Sequence, residues 1–189
     1  EANFKTIIAA STGNAGAAMA CMAASVGKQA VIIAPRSAPP AKVAQLLTFG
    51  ARVVLVDGTY DQAFDLSIEA SREYGWYNRN TGYNPYTVEG KKTAGLEIWE
   101  QGLLKREDSA PNLTIFIPVG DGNILSGVAK GFADLQSLGW IEKLPRLVGV
   151  QAEGSAAIYN AFKTGKDVID PVNAKTVADS ICVDLPRDG

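Results

Sequence analysis

Short unbroken apolar runs alternate along this chain with longer stretches whose apolar residues recur at helical spacing. Residues 6–10 (TIIAA) form a run of strand length, and residues 14–26 are Ala- and Met-rich with Gly27 placed as a helix stop. A second strand is predicted over 29–34 (QAVIIA) and a third over 51–56 (ARVVLV). Between them Pro39-Pro40-Ala41-Lys42 opens a helix with proline in its first turn, Val43, Leu46 and Leu47 give it an apolar face, and Gly50 closes it. After Asp57-Gly58 a helix is predicted over about 60–74, with Phe64 and Ile68 pointing inward, followed by an extended piece at Trp76-Tyr77.

The polar, turn-rich stretch 78–84 (NRNTGYN) interrupts this rhythm and marks a domain junction or a binding loop. Beyond it the spacing predicts a helix over 88–101, a strand over 113–119, a helix over 123–138, a strand over 147–151 and a helix over about 155–162. Near-continuous apolar strands separated by helices imply an α/β fold of open, mostly parallel twisted sheets with helices on both faces. The expected division is residues 1–84, a small α/β domain, and residues 85–189, a larger one.

Composition narrows the chemistry. The 18 Lys and Arg against 20 Asp and Glu leave a net charge of −2, so no basic footprint marks nucleic acid or an anionic membrane as a partner. The stretch between Lys5 and Lys28 carries no charge, yet Ser11-Thr12-Gly13-Asn14 sits in its middle and its apolar residues are mostly Ala, which favours strand plus helix over a membrane span. With no targeting signal in view, the cytoplasm is the expected location. The absence of histidine removes Ser-His-Asp and Cys-His catalysis and histidine metal ligation from these 189 residues. Cys21 and Cys182 fit no disulfide or metal pattern and are expected as buried, reduced thiols. Trp76, Trp99 and Trp140 are expected in the core. The chain opens on Glu1 rather than Met, and a fragment of a longer protein is expected.

In a parallel sheet, ligands gather beyond the carboxyl ends of the strands, where glycine turns expose backbone amides at a helix start. Two turns qualify. Gly120-Asp121-Gly122-Asn123-Ile124 runs from the most apolar strand into a helix; it is either an anion cradle or a tight strand-to-helix packing turn. Asp121 would repel a phosphate unless it points away or caps the helix. Ser11-Thr12-Gly13-Asn14-Ala15-Gly16 gathers two hydroxyls, a carboxamide and several backbone amides, suited to a carboxylate or a polar ring, although Ser11 or Thr12 as a plain helix cap would read the same way. Neither turn is GxGxxG and no GxxxxGK[ST] occurs, so dinucleotide and nucleoside-triphosphate binding lose ground. The loop from Asn78 to Tyr86, followed by Glu89-Gly90-Lys91-Lys92-Thr93, suits either a small polar substrate or an ordinary surface turn. Lys91 and Lys92 are expected in solvent or in helix-side ion pairs.

Taken together in this order, STGNAG, PPAKVAQLLTFGARVVLVDG, YNPYTVEGKKT, IPVGDGNILSGVAKGF and LVGVQAEGSAAIYNAF resemble the threonine synthase family of pyridoxal-phosphate enzymes of fold type II, related to the tryptophan synthase β chain. The resemblance runs over nearly all of the chain, through Ala178-Asp179-Ser180-Ile181 and Leu185-Pro186-Arg187-Asp188-Gly189. It implies pyridoxal 5′-phosphate as cofactor and the conversion of O-phospho-L-homoserine and water to L-threonine and phosphate. By the same resemblance Asn14 contacts the ring's 3′-hydroxyl, and Gly120, Asp121, Gly122, Asn123 and Ile124 wrap the cofactor phosphate. Ser11, Thr12 and Gly13 receive the substrate carboxylate, while Asn80 and Thr81 lie around the substrate's phosphate end. A homodimer is among the assemblies it admits.

Three departures carry weight. The commoner phosphate loop of the family reads Gly-Asn-x-Gly-Asn. Relatives often carry arginine directly after Asn-Pro-Tyr to grip phosphohomoserine, and this chain has Thr87, a hydroxyl in place of a guanidinium fork. The family's Schiff-base lysine lies in a Ser-Phe-Lys-Asp-type segment ahead of the STGN turn, and no residue here stands in for it, so the chain alone is expected to be inactive. Thr87 keeps open another fold type II reaction, such as that of a cysteate synthase or a serine/threonine dehydratase.

Overall fold

A computed structural model describes residues 3–103 and 113–187. Glu1 and the final Asp188-Gly189 of the closing motif lie outside the described residues. The chain divides into two compact units, Glu1–Asn84 and Pro85–Gly189.

In the first unit, β1 (Thr6–Ala9), β2 (Gln29–Pro35), β3 (Arg52–Val56) and β4 (Tyr77–Asn78) form one parallel sheet in the order β3-β2-β1-β4. Ile8 of β1 sits beside Val31 of β2 and Asn78 of β4, and Ile33 pairs with Val54. Helices α1 (Asn14–Ser25) and α2 (Pro40–Thr48) cover one face, where Ala9, Met19, Ala20, Ala30, Ile32 and Leu46 form a core. Small alanines let α1 lie close to the sheet. Helix α3 (Tyr60–Tyr74) covers the other face, where Ile8, Ala10, Val31, Ile33, Ala63 and Phe64 pack with Ile68 and Trp76 beside them. Its start is fixed by a capping box in which Thr59 Oγ1 accepts from Gln62 N–H at 3.2 Å and Gln62 Oε1 accepts from Thr59 N–H at 2.8 Å. Its end is fixed by Gly75 in the left-handed region.

The α2 face differs from expectation. Leu46 is fully buried, but Leu47 is 54% exposed, because consecutive helical residues diverge by about 100° and only one can face the sheet.

In the second unit, α4 (Tyr86–Ile98) starts two residues before the predicted 88, with Pro85 as N-cap, and widens into a π turn over Trp99–Leu103. β5 (Thr114–Pro118) and β6 (Arg146–Val150) pair in parallel through α5 (Asn123–Ser137), and α6 (Ala157–Thr164) follows. Helices α4 and α5 approach so closely that a Cβ on Gly131 would lie 2.5 Å from the Lys92 carbonyl, and one on Gly95 2.8 Å from that of Val128. Lys92 reaches Glu89 on its own helix at 2.9 Å and Asp134 across the pair at 3.0 Å, the ion pairing expected of it, and Lys130 reaches Asp134 on α5 at 3.0 Å.

Ile117 is buried on the side of α5, while Phe116, on the other side of the pleat, is 69% exposed among the described residues. Two further expectations fail here. Trp140 is 60% exposed and stacks on Trp99 at 5.0 Å instead of entering the core. Cys21 is exposed on the outer side of α1, and Cys182 is partly exposed; both thiols are free.

Candidate functional site

The order β3-β2-β1-β4 reverses direction at β1. The chain moves outward from β1 through β2 to β3, then returns to place β4 on the opposite side of β1. Beyond the carboxyl ends of such a strand pair the following loops part and leave a crevice. The loop after β1 is the Ser11-Thr12-Gly13-Asn14 turn, and the loop after β4 holds Arg79, Asn80 and Thr81. The fold of the first unit therefore brings together two of the sequence-predicted groups.

The first turn curls back on its own helix. A Cβ at Gly16 would overlap the Ser11 carbonyl oxygen, so glycine is required there. The N-cap of α1 is Gly13, with no side-chain cap. Ser11, Thr12 and Asn14 make no side-chain hydrogen bond with the described residues. The plain capping role is thus absent, and three polar side chains stand open at a helix start, where amide N–H groups and the helix dipole favour an anion. Lys5 lies just before the amino end of β1, about 20 Å of extended chain away from this turn.

Asn78 and Asn80 point to the α3 side of β4. Asn80 is only 2% exposed, and both ends of its amide are used: Oδ1 accepts from Ala10 N–H at 2.7 Å, and Nδ2 donates to Ser67 Oγ at 2.6 Å. Asn78 Oδ1 accepts from Asn80 N–H at 2.8 Å, and its Nδ2 donates to the Ser67 carbonyl at 3.1 Å. Asn84 Nδ2 donates to the Asn78 carbonyl at 2.9 Å. These bonds depart from the substrate contact expected of Asn80, since its amide is committed inside the unit. Thr81, next to it, is partly exposed.

Arg79, between the two asparagines, points the other way. Its backbone N–H donates to the Ile8 carbonyl at 2.9 Å, and its Nη1 donates to the Ala15 carbonyl in the first turn of α1 at 3.3 Å. Burial lowers its pKa from the usual arginine value, with the Tyr77 hydroxyl acting the other way, and no carboxylate among the described residues pairs with it. Sequence reasoning had placed Arg79 only within a polar loop; its position one residue from the strand end was the available signal.

In the second unit the glycine turn lies directly beyond β5. Gly122, at φ 94°, is the N-cap of α5 with no side-chain cap, and Asn123 beneath it is 3% exposed. The Thr87 hydroxyl, itself buried, lies 3.4 Å from Asn123 Oδ1, so this threonine supports the turn from behind. Asp121 Oδ1 accepts from Arg187 N–H at 3.4 Å, and Ile124 is 46% exposed. A Cβ on Gly120 would lie 3.3 Å from Ile181 Cα and 3.3 Å from Val183 Cγ2. That backing segment is held by Ser155, whose buried hydroxyl accepts from Val183 N–H at 3.0 Å and lies 3.1 Å from the Val183 carbonyl. Ser155 was read only as the beginning of a helix; its partners are 28 residues away, beyond the reach of local pattern. A helix start with a left-handed glycine cap and no side-chain cap bond fits a phosphate group.

A family model described as pyridoxal-phosphate dependent enzyme matches residues 1–188. The chain is 37% identical over 188 residues to a threonine synthase of Methanosarcina acetivorans and 34% identical over 188 residues to one of Methanocaldococcus jannaschii, covering 98% of this chain in each case. It spans 45% of the length of those relatives. Among solved structures, the processed form of threonine deaminase isoform 2 from Solanum lycopersicum superposes with a TM-score of 0.75 at 27% identity, over 96% of this chain and 46% of that one. The parallel α/β architecture, the phosphate-fitting turn and the match along almost the whole sequence agree, and the chain belongs to the pyridoxal-phosphate-dependent enzyme family.

Proposed function

We propose that the protein to which this chain contributes is a threonine synthase, converting O-phospho-L-homoserine and water to L-threonine and phosphate. The observation that carries this reading is the open cluster of Ser11, Thr12 and Asn14 at the β1 switch point, with Arg79 held beside the same helix turn. The relatives named threonine synthase support it. Bound pyridoxal phosphate supplies an electron sink for carbanion chemistry on the amino-acid substrate. The backbone amides of Gly120, Asp121, Gly122, Asn123 and Ile124 hold the cofactor's phosphate, and the Asn14 amide meets its ring hydroxyl. Ser11 and Thr12 donate to the substrate carboxylate together with the Gly13 amide. Thr81 and Arg79 face the substrate's anionic tail, where a guanidinium is the natural partner of a phosphate dianion. Asn80, with its amide committed to Ala10 and Ser67, receives no substrate contact in this reading. No helix among the described residues is long and apolar enough to cross a membrane, and a cytoplasmic location belongs to the same proposal.

A second reading, a threonine deaminase or related dehydratase, is favoured by Thr87, which is turned inward onto Asn123 and offers no charge. The two differ in the substrate's tail. The full-length protein, loaded with cofactor and given O-phosphohomoserine, is expected to release phosphate and threonine in equal amounts. Cofactor uptake without either product overturns the threonine synthase reading.

A further inference from the structure

At a switch point the two strands flanking the crevice carry their loops apart, and something must fix the strand ends against each other. In this chain the parallel pairing of β1 with β4 is short, with Ile7 opposite Tyr77 and Ile8 opposite Asn78. One residue further on, the Arg79 N–H still reaches the Ile8 carbonyl. The next amide on that side, that of Ala10 just past the end of β1, has no strand partner among the described residues. It donates instead to the Asn80 side chain at 2.7 Å, fully inside the unit, where an unsatisfied N–H would be costly. The other end of the same amide is anchored on Ser67 of α3, whose own hydroxyl donates to the Phe64 carbonyl at 2.6 Å. Asn78 braces the Asn80 backbone and ties it to the Ser67 carbonyl. Ala10 immediately precedes Ser11, so the position of the open turn is inherited from this bridge.

We propose that Asn80 is a positioning residue: its buried amide, anchored on Ser67, replaces the missing strand partner of Ala10 and so sets the orientation of the Ser11-Thr12-Gly13 turn that receives the substrate carboxylate. The proposal rests on the assignment of that turn as the carboxylate site. Asn80 itself touches neither substrate nor cofactor.

Three variants of the full-length protein separate positioning from direct contact. Asn80→Asp keeps an acceptor for Ala10 N–H but loses the donor to Ser67 Oγ, and its second oxygen pairs with Ser67 only once the hydroxyl proton turns to it from the Phe64 carbonyl. Asn80→Leu keeps the volume and removes both bonds. Ser67→Ala leaves Asn80 in place and removes its anchor. Amide hydrogen exchange of the peptide spanning Ala10, measured without substrate, is expected to be at least about tenfold faster in Asn80→Leu than in wild type and near wild type in Asn80→Asp. KM for O-phosphohomoserine is expected to rise about tenfold in Asn80→Leu with kcat little changed, to stay within about threefold in Asn80→Asp, and to rise to an intermediate extent in Ser67→Ala. A direct contact with an anionic substrate predicts the opposite order, because the carboxylate of Asn80→Asp would repel it, and predicts no effect of Ser67→Ala on exchange. That order, or unchanged exchange at Ala10 in Asn80→Leu, overturns the proposal. If wild type does not turn over O-phosphohomoserine, the functional reading fails on its own. The exchange arm, together with the change in cofactor absorbance when L-serine is added to each variant, then decides the positioning role. Should Asn80→Leu not fold, Ser67→Ala and Asn80→Asp carry the same contrast.

Discussion

Residues 78, 79 and 80 divide their work by the alternation of a strand. Even positions turn to α3 and lock the crevice from below, while the odd one turns to α1 and brings a guanidinium to its first turn. Arg79 has no carboxylate partner among the described residues, and the proposed function gives its charge to the substrate's anionic tail. Arg79→Met is expected to raise KM for O-phosphohomoserine about tenfold or more while leaving cofactor affinity near wild type; equal losses in both, read by steady-state kinetics and cofactor titration, count against the assignment. Gly16→Ala forces a methyl into the Ser11 carbonyl and is expected to cost about 1–3 kcal/mol of stability, seen in denaturant unfolding, together with a loss of substrate binding. At this scale the sequence was only partly legible. The STGN turn was visible because a strand-length apolar run ends directly before it. Whether Asn80 or Thr81 is open to a ligand was not, since that depends on Ser67 and Ala10, which lie 13 and 70 residues away.

Elements are where local pattern works best, and where its failures have plain causes. Helix α3 was bounded correctly because both ends carry their own signals, Thr59 with Gln62 and then Gly75. Thr59→Ala is expected to cost about 1 kcal/mol, measured as a shift in the unfolding midpoint without a change in slope. Helix α4 was misjudged at both ends, since Pro85 tolerates the N-cap position and the π turn at Trp99 is bound up with stacking on Trp140. The α4–α5 pair carries a pH-dependent component. The Lys130 hydrogen bond, followed by that of Lys92, holds the Asp134 carboxyl below its ordinary range, and Lys92 does the same for Glu89. A depressed carboxylate pKa contributes stability that is present above the unfolded value and lost as pH falls through the folded one. Lys130 and Lys92, with raised pKa values, contribute stability that is present below their unfolded values and lost as pH rises through the folded ones. Asp134→Asn is therefore expected to lower Tm slightly at neutral pH, more at low salt, and to merge with wild type in acid. A difference that persists unchanged in acid contradicts this, and the exposure of all four groups keeps the effect small.

For the whole molecule, the α/β class, the parallel strands and the two glycine turns followed from periodicity and turn chemistry. The exposure of Phe116 among the described residues did not, because an apolar strand reads the same whether one face or both are covered. The central claim is functional. The first unit offers a carboxylate-sized turn with a guanidinium beside it, which suits a substrate with an anionic tail, and the second by itself offers a phosphate-sized turn that suits the cofactor. The most direct test gives the cofactor-loaded full-length protein O-phosphohomoserine and, separately, L-threonine, and follows phosphate, threonine and ammonia. The account predicts phosphate and threonine in equal amounts from the first and little ammonia from the second. Ammonia from L-threonine with no phosphate from O-phosphohomoserine contradicts it and establishes the deaminase reading.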